Sequence, residues 1–379
     1  MVGIIIDKSN MKKDTYASLK TFPLAKRIQA DLHRSALQCM VFGNFGAMNS
    51  GDEAILAGQL EELKKLKGSD ITVVSRFPSE VSALHGVKSI SMFSLLTILK
   101  ALWKTQVVIV GGGGLFCKND RGIMGILFQL YTLYFYLITP LLLRKKVYVI
   151  GIGVYKNTDK YILALVLKIL ERVTLVTARD VHTYKLLHKG SIPVQLYKDN
   201  SFLMPTYPFD QLIKATFFKR RYNPKKLQIG IAVKRPGGKG MSEKFLREMV
   251  TFMQRHAKKA DFWLYALDAH SSYENDEIFN KLLSSKLHGV TYHFMPTDWH
   301  PKKLFSSFGL MDFFITMRLH ASIFSYRQKI PFIGISYDIK CESFLSSIGK
   351  KAYEIQDITA SLLQSEFKSG VRKRAYANS

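Results

Sequence analysis

The chain has 379 residues, with 55 Lys plus Arg against 29 Asp plus Glu, for a net charge of +26. That length exceeds one ordinary core and calls for two domains, and a composition of 47% hydrophobic and 12% aromatic residues excludes a chain that stays unfolded. The charge points to anionic partners, a phosphorylated substrate or an anionic membrane surface. Basic patches at 64–67, 144–146, 219–226 and 368–374 lack the aromatic interleaving of a single-strand platform, so no nucleic acid is expected. Cys39, Cys117 and Cys341 form no Cys-x-x-Cys pair and read as reduced thiols of a cytoplasmic protein. His293 and His300 flank Asp298 too loosely for a ligand set, and no metal is expected. The apolar part of residues 1–7 is too short for a signal peptide.

Residues 1–34 show no strong pattern and read as an N-terminal extension. From 35 to 205, short β-rich runs alternate with helical patterns, the signature of stacked βαβ units. Strands are predicted at 38–43, 70–75, 107–110, 147–150 and 175–178. Helices are predicted at 51–67, 93–103, 122–143, 159–170 and 181–187. The stretch 122–143 holds 22 uncharged residues between Arg121 and Arg144, long enough to span a bilayer. It also lies between two strands of one sheet, and Gln129, Tyr131, Thr132, Tyr134 and Tyr136 make it amphipathic. The expected structure is a helix packed on the sheet, with an apolar face available to a membrane surface.

Pro205 and Pro208, followed by the basic run 219–226, mark a linker over 206–226. The alternation resumes over 227–350, with strands at 227–233, 262–266, 312–316 and 331–336 and helices at 242–258, 304–308 and 319–327. Residues 351–379 read as a C-terminal helix and basic tail, the tail solvated at 368–374. The predicted class is α/β: two Rossmann-like domains with parallel sheets, facing a cleft. Ligands of such sheets bind beyond the carboxyl ends of the strands.

The segment Met317-Arg318-Leu319-His320-Ala321 opens a helix directly after a strand. A helix N-terminus offers unpaired N–H groups and a positive dipole end to an anion. Arg318 can grip a phosphate or carboxylate through two parallel N–H bonds, and His320 is the side chain most easily set up as an acid or base near neutral pH. A buried helix start with a hydrogen-bonded His is the structural alternative. Other glycine-rich and charged segments also fall at predicted strand ends. They are Phe42-Gly43-Asn44-Phe45-Gly46, Asn49-Ser50-Gly51-Asp52-Glu53, the glycines at 111–114, Gly151-Ile152-Gly153, Thr177-Ala178-Arg179-Asp180, Lys198-Asp199-Asn200-Ser201 and Ser336-Tyr337-Asp338-Ile339-Lys340. In this order, across roughly 38–350, the chain resembles the polysaccharide pyruvyl transferase family.

The resemblance implies a transferase with a GT-B-like pair of domains. Such an enzyme moves the enolpyruvyl unit of phosphoenolpyruvate onto two hydroxyls of one sugar in a cell-surface polysaccharide or its precursor. A cyclic pyruvate ketal forms and phosphate leaves, with phosphoenolpyruvate as donor substrate and no cofactor. The implied acceptor is a glycan or lipid-linked glycan on the side of residues 35–205, with the donor on the side of residues 227–350. By the same resemblance His320 is the general acid, and Arg318 binds a donor anion with the N–H groups of Leu319 and His320. Arg179 reaches that anion across the cleft, and Lys340 is a further anion binder. A salt bridge to Asp180 would equally occupy Arg179, and a solvated surface would equally suit Lys340.

On the acceptor side, Gly112, Gly113 and Gly114 let backbone approach a ligand, or simply make a tight turn. Asn44, Asp52 and Glu53 sit at the first strand-to-helix turn; helix capping accounts for Asp52 as well as proton abstraction does, and no general base is assigned. The first loop is longer than the family's compact form, and Lys118-Asn119-Asp120-Arg121 replaces a polar-acidic stretch, so the acceptor sugar stays open. The rival activity is a GT-B glycosyltransferase using a nucleotide sugar, with Asp338 holding the ribose. A non-catalytic binder of anionic glycans would have little use for His320. The expected location is cytoplasmic, peripheral at the cytoplasmic face of the membrane.

Overall fold

The computed structural model describes residues 15–34, 36–47, 49–115, 122–155, 158–237, 239–269 and 275–378. The chain forms two compact units: one runs to Pro205, and the other comprises Thr206–Ser379 together with the short segment ending at Gly51.

In the first unit, seven strands form one sheet: β1 (Gln38–Phe42), β2 (Asp70–Ser75), β3 (Lys88–Ser91), β4 (Val107–Gly113), β5 (Lys146–Ile152), β6 (Leu175–Ala178) and β7 (Val194–Leu196). Their order is β3-β2-β1-β4-β5-β6-β7, with every pair parallel. In the second unit, β8 (Leu227–Ala232), β9 (Ala260–Leu264), β10 (Tyr292–Phe294), β11 (Phe313–Thr316), β12 (Phe332–Ser336) and β13 (Ala352–Glu354) run in the order β10-β9-β8-β11-β12-β13, again all parallel. The α/β class with two parallel sheets is therefore the one expected. β3, β7, β10 and β13 have no predicted counterpart, and they are the four sheet edges. Their three or four half-buried residues carry no long apolar run to read.

Right-handed crossovers decide which face each helix covers. β1 to β2 to β3 moves one way, placing Ser50–Leu63 and Pro78–His85 on one face, where Ile55, Leu56, Leu60 and Val81 enter a core with Val41 and Ile109. From β3 through β6 the chain moves the other way. Leu95–Lys104, the continuous helix Gly122–Leu142 and Lys160–Leu170 then cover the opposite face, where Ile98, Leu102, Leu137 and Val166 meet Val108 and Val149. Gly122–Leu142 widens into a π turn at Tyr134–Ile138, just before Pro140, which has no N–H to donate.

Several boundaries differ from expectation. β4 runs through Gly113, so Gly111, Gly112 and Gly113 lie in the strand rather than in a turn after it. The first long helix stops at Leu63, not 67. Residues 206–226 were expected as a linker but carry helices Phe209–Lys214 and Thr216–Lys219, and Phe218 is fully buried against Trp263 and Trp299. Residues 368–374, expected as a basic tail, continue the C-terminal helix, and none of those described is buried. Ala360–Asn378 is a helix that buries Leu363 and Phe367 in the second core, and Arg374 Nη1 lies 3.6 Å from Asp312 Oδ1. In the N-terminal extension, Leu24–Leu32 is a helix with Ile28 in the first core. Cys39 and Cys341 are buried free thiols, while Cys117 and residues 118–121 lie outside the described residues.

Candidate active site

A doubly wound sheet has one place where neighbouring strands leave in opposite directions, and loops there open a crevice. In the second sheet that place lies between β8 and β11. Arg318 follows β11 as the residue preceding helix Leu319–Arg327, in extended conformation (φ −91°, ψ 134°). Its side chain is buried. Asp276, the first residue of helix Asp276–Ser284, holds it: Nε lies 3.1 Å from both carboxylate oxygens and Nη2 2.6 Å from Oδ1. Asp268 stands 3.8 Å from Nη2. The Asp276 carboxylate also accepts the Leu267 and Asp268 amides at 3.0 and 3.2 Å. Burial pushes the Asp276 carboxyl up to about 6, against the opposing pull of Arg318 and these amides. Burial likewise disfavours the charged Arg318, but Asp276, Tyr337 and Asp268 outweigh it and raise its pKa.

His320 is the second residue of the same helix and is half-buried. Its ring rests against the backbone of Gly51: a Cβ there would stand 2.0 Å from Nδ1. Gly51 belongs to the segment counted with the second unit, where Asn49 bridges Asp268 and the Ser50 amide donates to the Leu267 carbonyl at 2.7 Å. The loop that supports Asp276 thus also fixes the glycine facing His320.

Beyond β12, Asp338 caps helix Ile339–Ser347 by accepting the Cys341 amide at 2.9 Å. Lys340, the second residue of that helix, has its Nζ 4.0 Å from Asp338 Oδ2. Beyond β8, Lys234 Nζ lies over the Tyr337 ring at 4.2 Å, and Arg235 is exposed. The ends of β8, β11 and β12 therefore gather Lys234, Arg318, Leu319, His320 and Lys340. Asp276 and Lys234 carry no mark in the sequence that singles them out, and Gly51 is marked there only as part of the Asn49–Glu53 segment, not as a neighbour of His320. Asp276 reads only as part of an acidic helix start, and Lys234 as the residue after a strand.

In the first unit the switch lies between β1 and β4. Asn44 Nδ2 donates to Asp52 Oδ2 at 2.9 Å, and Asp52 Oδ1 would be 3.5 Å from a Cβ on Gly113. Asn44, Asp52 and Gly113 thus come together. Gly112 (φ +80°) lies against Ile55, and a Cβ on Gly114 would enter the Tyr155 ring, so these two are required by packing. Glu53 is occupied structurally, accepting the Gly46 amide at 2.7 Å and meeting His85 Nε2 at 2.8 Å. Arg179 follows β6 and is buried, with Nη1 3.0 Å from Asp199 Oδ2. Its partner is Asp199 rather than the neighbouring Asp180, which caps helix Val181–Lys189 instead. Gly153 leaves room for the guanidinium, since a Cβ there would be 3.1 Å from Nε.

His300 Nδ1 accepts the Lys302 amide and His293 packs on Trp263, each in a structural role. Among the described residues no group of three or more His, Cys, Asp or Glu is placed to hold a metal ion.

Solved structures share the fold. The UDP-GlcNAc 2-epimerase from Methanocaldococcus jannaschii superposes with a TM-score of 0.58 at 11% identity, covering 89% of this chain and 92% of that one. The S. aureus MnaA–UDP co-structure gives 0.58 at 12%, covering 89% of each. The UDP-GlcNAc 2-epimerase from Neisseria meningitidis bound to UDP-GlcNAc gives 0.55 at 13%, covering 87% and 91%. At such identities the likeness speaks for the fold alone. No curated protein matches the chain. A family profile described as polysaccharide pyruvyl transferase matches residues 49–339.

Proposed function

Because the chain belongs to the polysaccharide pyruvyl transferase family, a family of transferases, we propose that it transfers the enolpyruvyl unit of phosphoenolpyruvate to a sugar and closes a cyclic ketal. The carrying observation is Arg318, oriented by Asp276 at the start of the helix on which His320 follows two residues later. Phosphoenolpyruvate is an anion at both ends, and that helix start supplies N–H groups, a positive dipole end and a fixed guanidinium.

In the proposed sequence His320 gives a proton to the vinyl carbon, leaving positive charge at C2 that the first sugar hydroxyl attacks. That hydroxyl surrenders its proton, and the C2–O bond to phosphate breaks. The second hydroxyl then attacks C2 and loses its own proton, so two C–O bonds form, one breaks and inorganic phosphate departs. Lys234 and Lys340 supply further positive charge at the ends of neighbouring strands, where it favours the leaving phosphate. Asn44, Asp52 and Gly113 form the acceptor-side candidates in the first unit.

The nucleotide-sugar alternative asks Asp338 to hold a ribose, but that carboxylate is engaged in capping its own helix. The test is phosphate release from phosphoenolpyruvate with a panel of sugar acceptors. Acceptor-dependent release in the wild type, lost in His320→Ala and Arg318→Ala, is the expected result. Tight binding of a nucleotide sugar with no release from any acceptor would overturn the proposal.

A further inference from the structure

Helix Gly122–Leu142 carries apolar side chains outward as well as inward. Its inward side carries Gln129, Thr132 and Thr139, all buried, while Ile123, Met124, Leu127, Phe128 and Leu130 face outward. Ile123 and Met124 are 74% and 70% exposed. A helix adapted to water keeps charged and polar residues on its outward face. The helix is also long and apolar enough to cross a membrane, yet 44% of its most apolar stretch is buried within the first unit, with Leu133, Tyr136 and Leu137 in the core. It cannot leave the sheet without emptying that core.

The apolar surface does not end with this helix. Lys145 Nζ donates to the Trp103 carbonyl at 3.0 Å, and Tyr131 Oη donates to the Met92 carbonyl, so helix Leu95–Lys104 lies alongside. That helix presents Leu96 and Trp103, 75% and 74% exposed, on the same stripe as Lys100 and Lys104. On the other flank, Lys160–Leu170 exposes Tyr161 and Leu165 with Lys168 on one stripe, and Lys160 lies over the Tyr161 ring. Between residues 81 and 158 the sequence holds a single acidic residue, Asp120.

An apolar face interleaved and rimmed with cations complements a bilayer with anionic headgroups: apolar side chains enter the acyl boundary while lysines meet the phosphates. We propose that the three outer helices of the first unit form a monotopic docking face for an anionic lipid surface, with Gly122–Leu142 lying in the plane of the interface rather than crossing it. The proposal stands apart from the transferase assignment, since neither its residues nor its readout involve the proposed site.

The test mixes the full chain with vesicles of phosphatidylcholine alone or with about 30% phosphatidylglycerol and follows flotation. Wild type is expected to float with the anionic vesicles and at least tenfold less with neutral ones. Met124→Glu/Leu127→Glu and, separately, Trp103→Glu are expected to lower partitioning at least tenfold, with circular dichroism unchanged. Lys100→Glu/Lys104→Glu should weaken binding most at low salt. Equal flotation of wild type and both apolar variants overturns the proposal. So does bound protein that resists alkaline carbonate, which marks a spanning helix. Failure to bind, with self-association in light scattering that the same variants abolish, overturns it in favour of a second copy.

Discussion

Replacing Gly51 with Ala adds one methyl group, and the structure assigns that methyl an unusually large effect on activity. Its Cβ would stand 2.0 Å from His320 Nδ1 and 2.6 Å from Cε1 and Cγ. Comfortable contact begins at about 3.5 Å, so the ring must retreat by about 1.5 Å. A misplacement of about 1 Å at a reacting group costs roughly 100-fold in rate, or about 2.7 kcal/mol. Forcing the half-buried ring aside should also lower stability by about 1–3 kcal/mol, offset in part by a smaller gain. Gly51 sits at the start of a helix without a positive φ, where Gly→Ala contributes about 0.4–1 kcal/mol through the unfolded chain. The assay is acceptor-dependent phosphate release, with thermal denaturation in parallel. The sharper measurement repeats the thermal denaturation of Gly51→Ala in a His320→Ala background, where release is already lost and no ring remains to displace; the stability penalty should vanish there. An equal penalty in both backgrounds, or wild-type turnover in folded Gly51→Ala, refutes the placement of His320.

The other expectations follow from the same contacts. Asp276→Ala leaves Arg318 buried without its main counter-charge and should lose about 3–5 kcal/mol in urea denaturation; a change below about 1 kcal/mol contradicts the ion pair. The raised Asp276 pKa keeps its carboxyl neutral below about 6, so Arg318 lacks its partner there and activity should decline as pH falls through about 6. In Asp276→Asn, which cannot titrate, that limb of the profile should disappear; its persistence assigns the limb to another group. Lys234→Ala should raise the KM for phosphoenolpyruvate more than it lowers kcat, and an unchanged KM removes Lys234 from the donor site. Gly112→Ala forces a Cβ to 2.3 Å from Ile55 at φ +80° and should lower stability by about 1–3 kcal/mol, which differential scanning calorimetry would register.

The central strands were legible because helices cover both faces of a parallel sheet, which makes Val107-Val108-Ile109-Val110 and Val147-Tyr148-Val149-Ile150 into unbroken apolar runs. The edges were not, because a strand such as Lys88-Ser89-Ile90-Ser91 needs only one partner and carries no comparable run. Arg318 and His320 were legible since a strand end followed by a helix start is a local pattern. Asp276, 42 residues away in sequence from the arginine it holds, was not. The glycines at 111–113 read as a loop because composition reports that side chains are missing. What excludes those side chains is the helix Ser50–Leu63: a Cβ on Gly111 would lie 1.8 Å from Gln59 Nε2.

Strand order also sets when the candidate site can come into being. β8 pairs with β11 through Ile229 and Phe313, residues 84 apart (313 − 229), whereas β11 and β12 join through Phe314 and Phe332, only 18 apart (332 − 314). Closing the longer loop costs more chain entropy, and contacts of high sequence separation are slow to form. Lys234 emerges from the ribosome well before Arg318 and His320, and must wait for β9, β10 and the helices between to be made. A nascent chain that ends before β11 can hold the first sheet complete and still lack the candidate site. The candidate site therefore arrives late in synthesis, with the pairing that completes the middle of the second sheet.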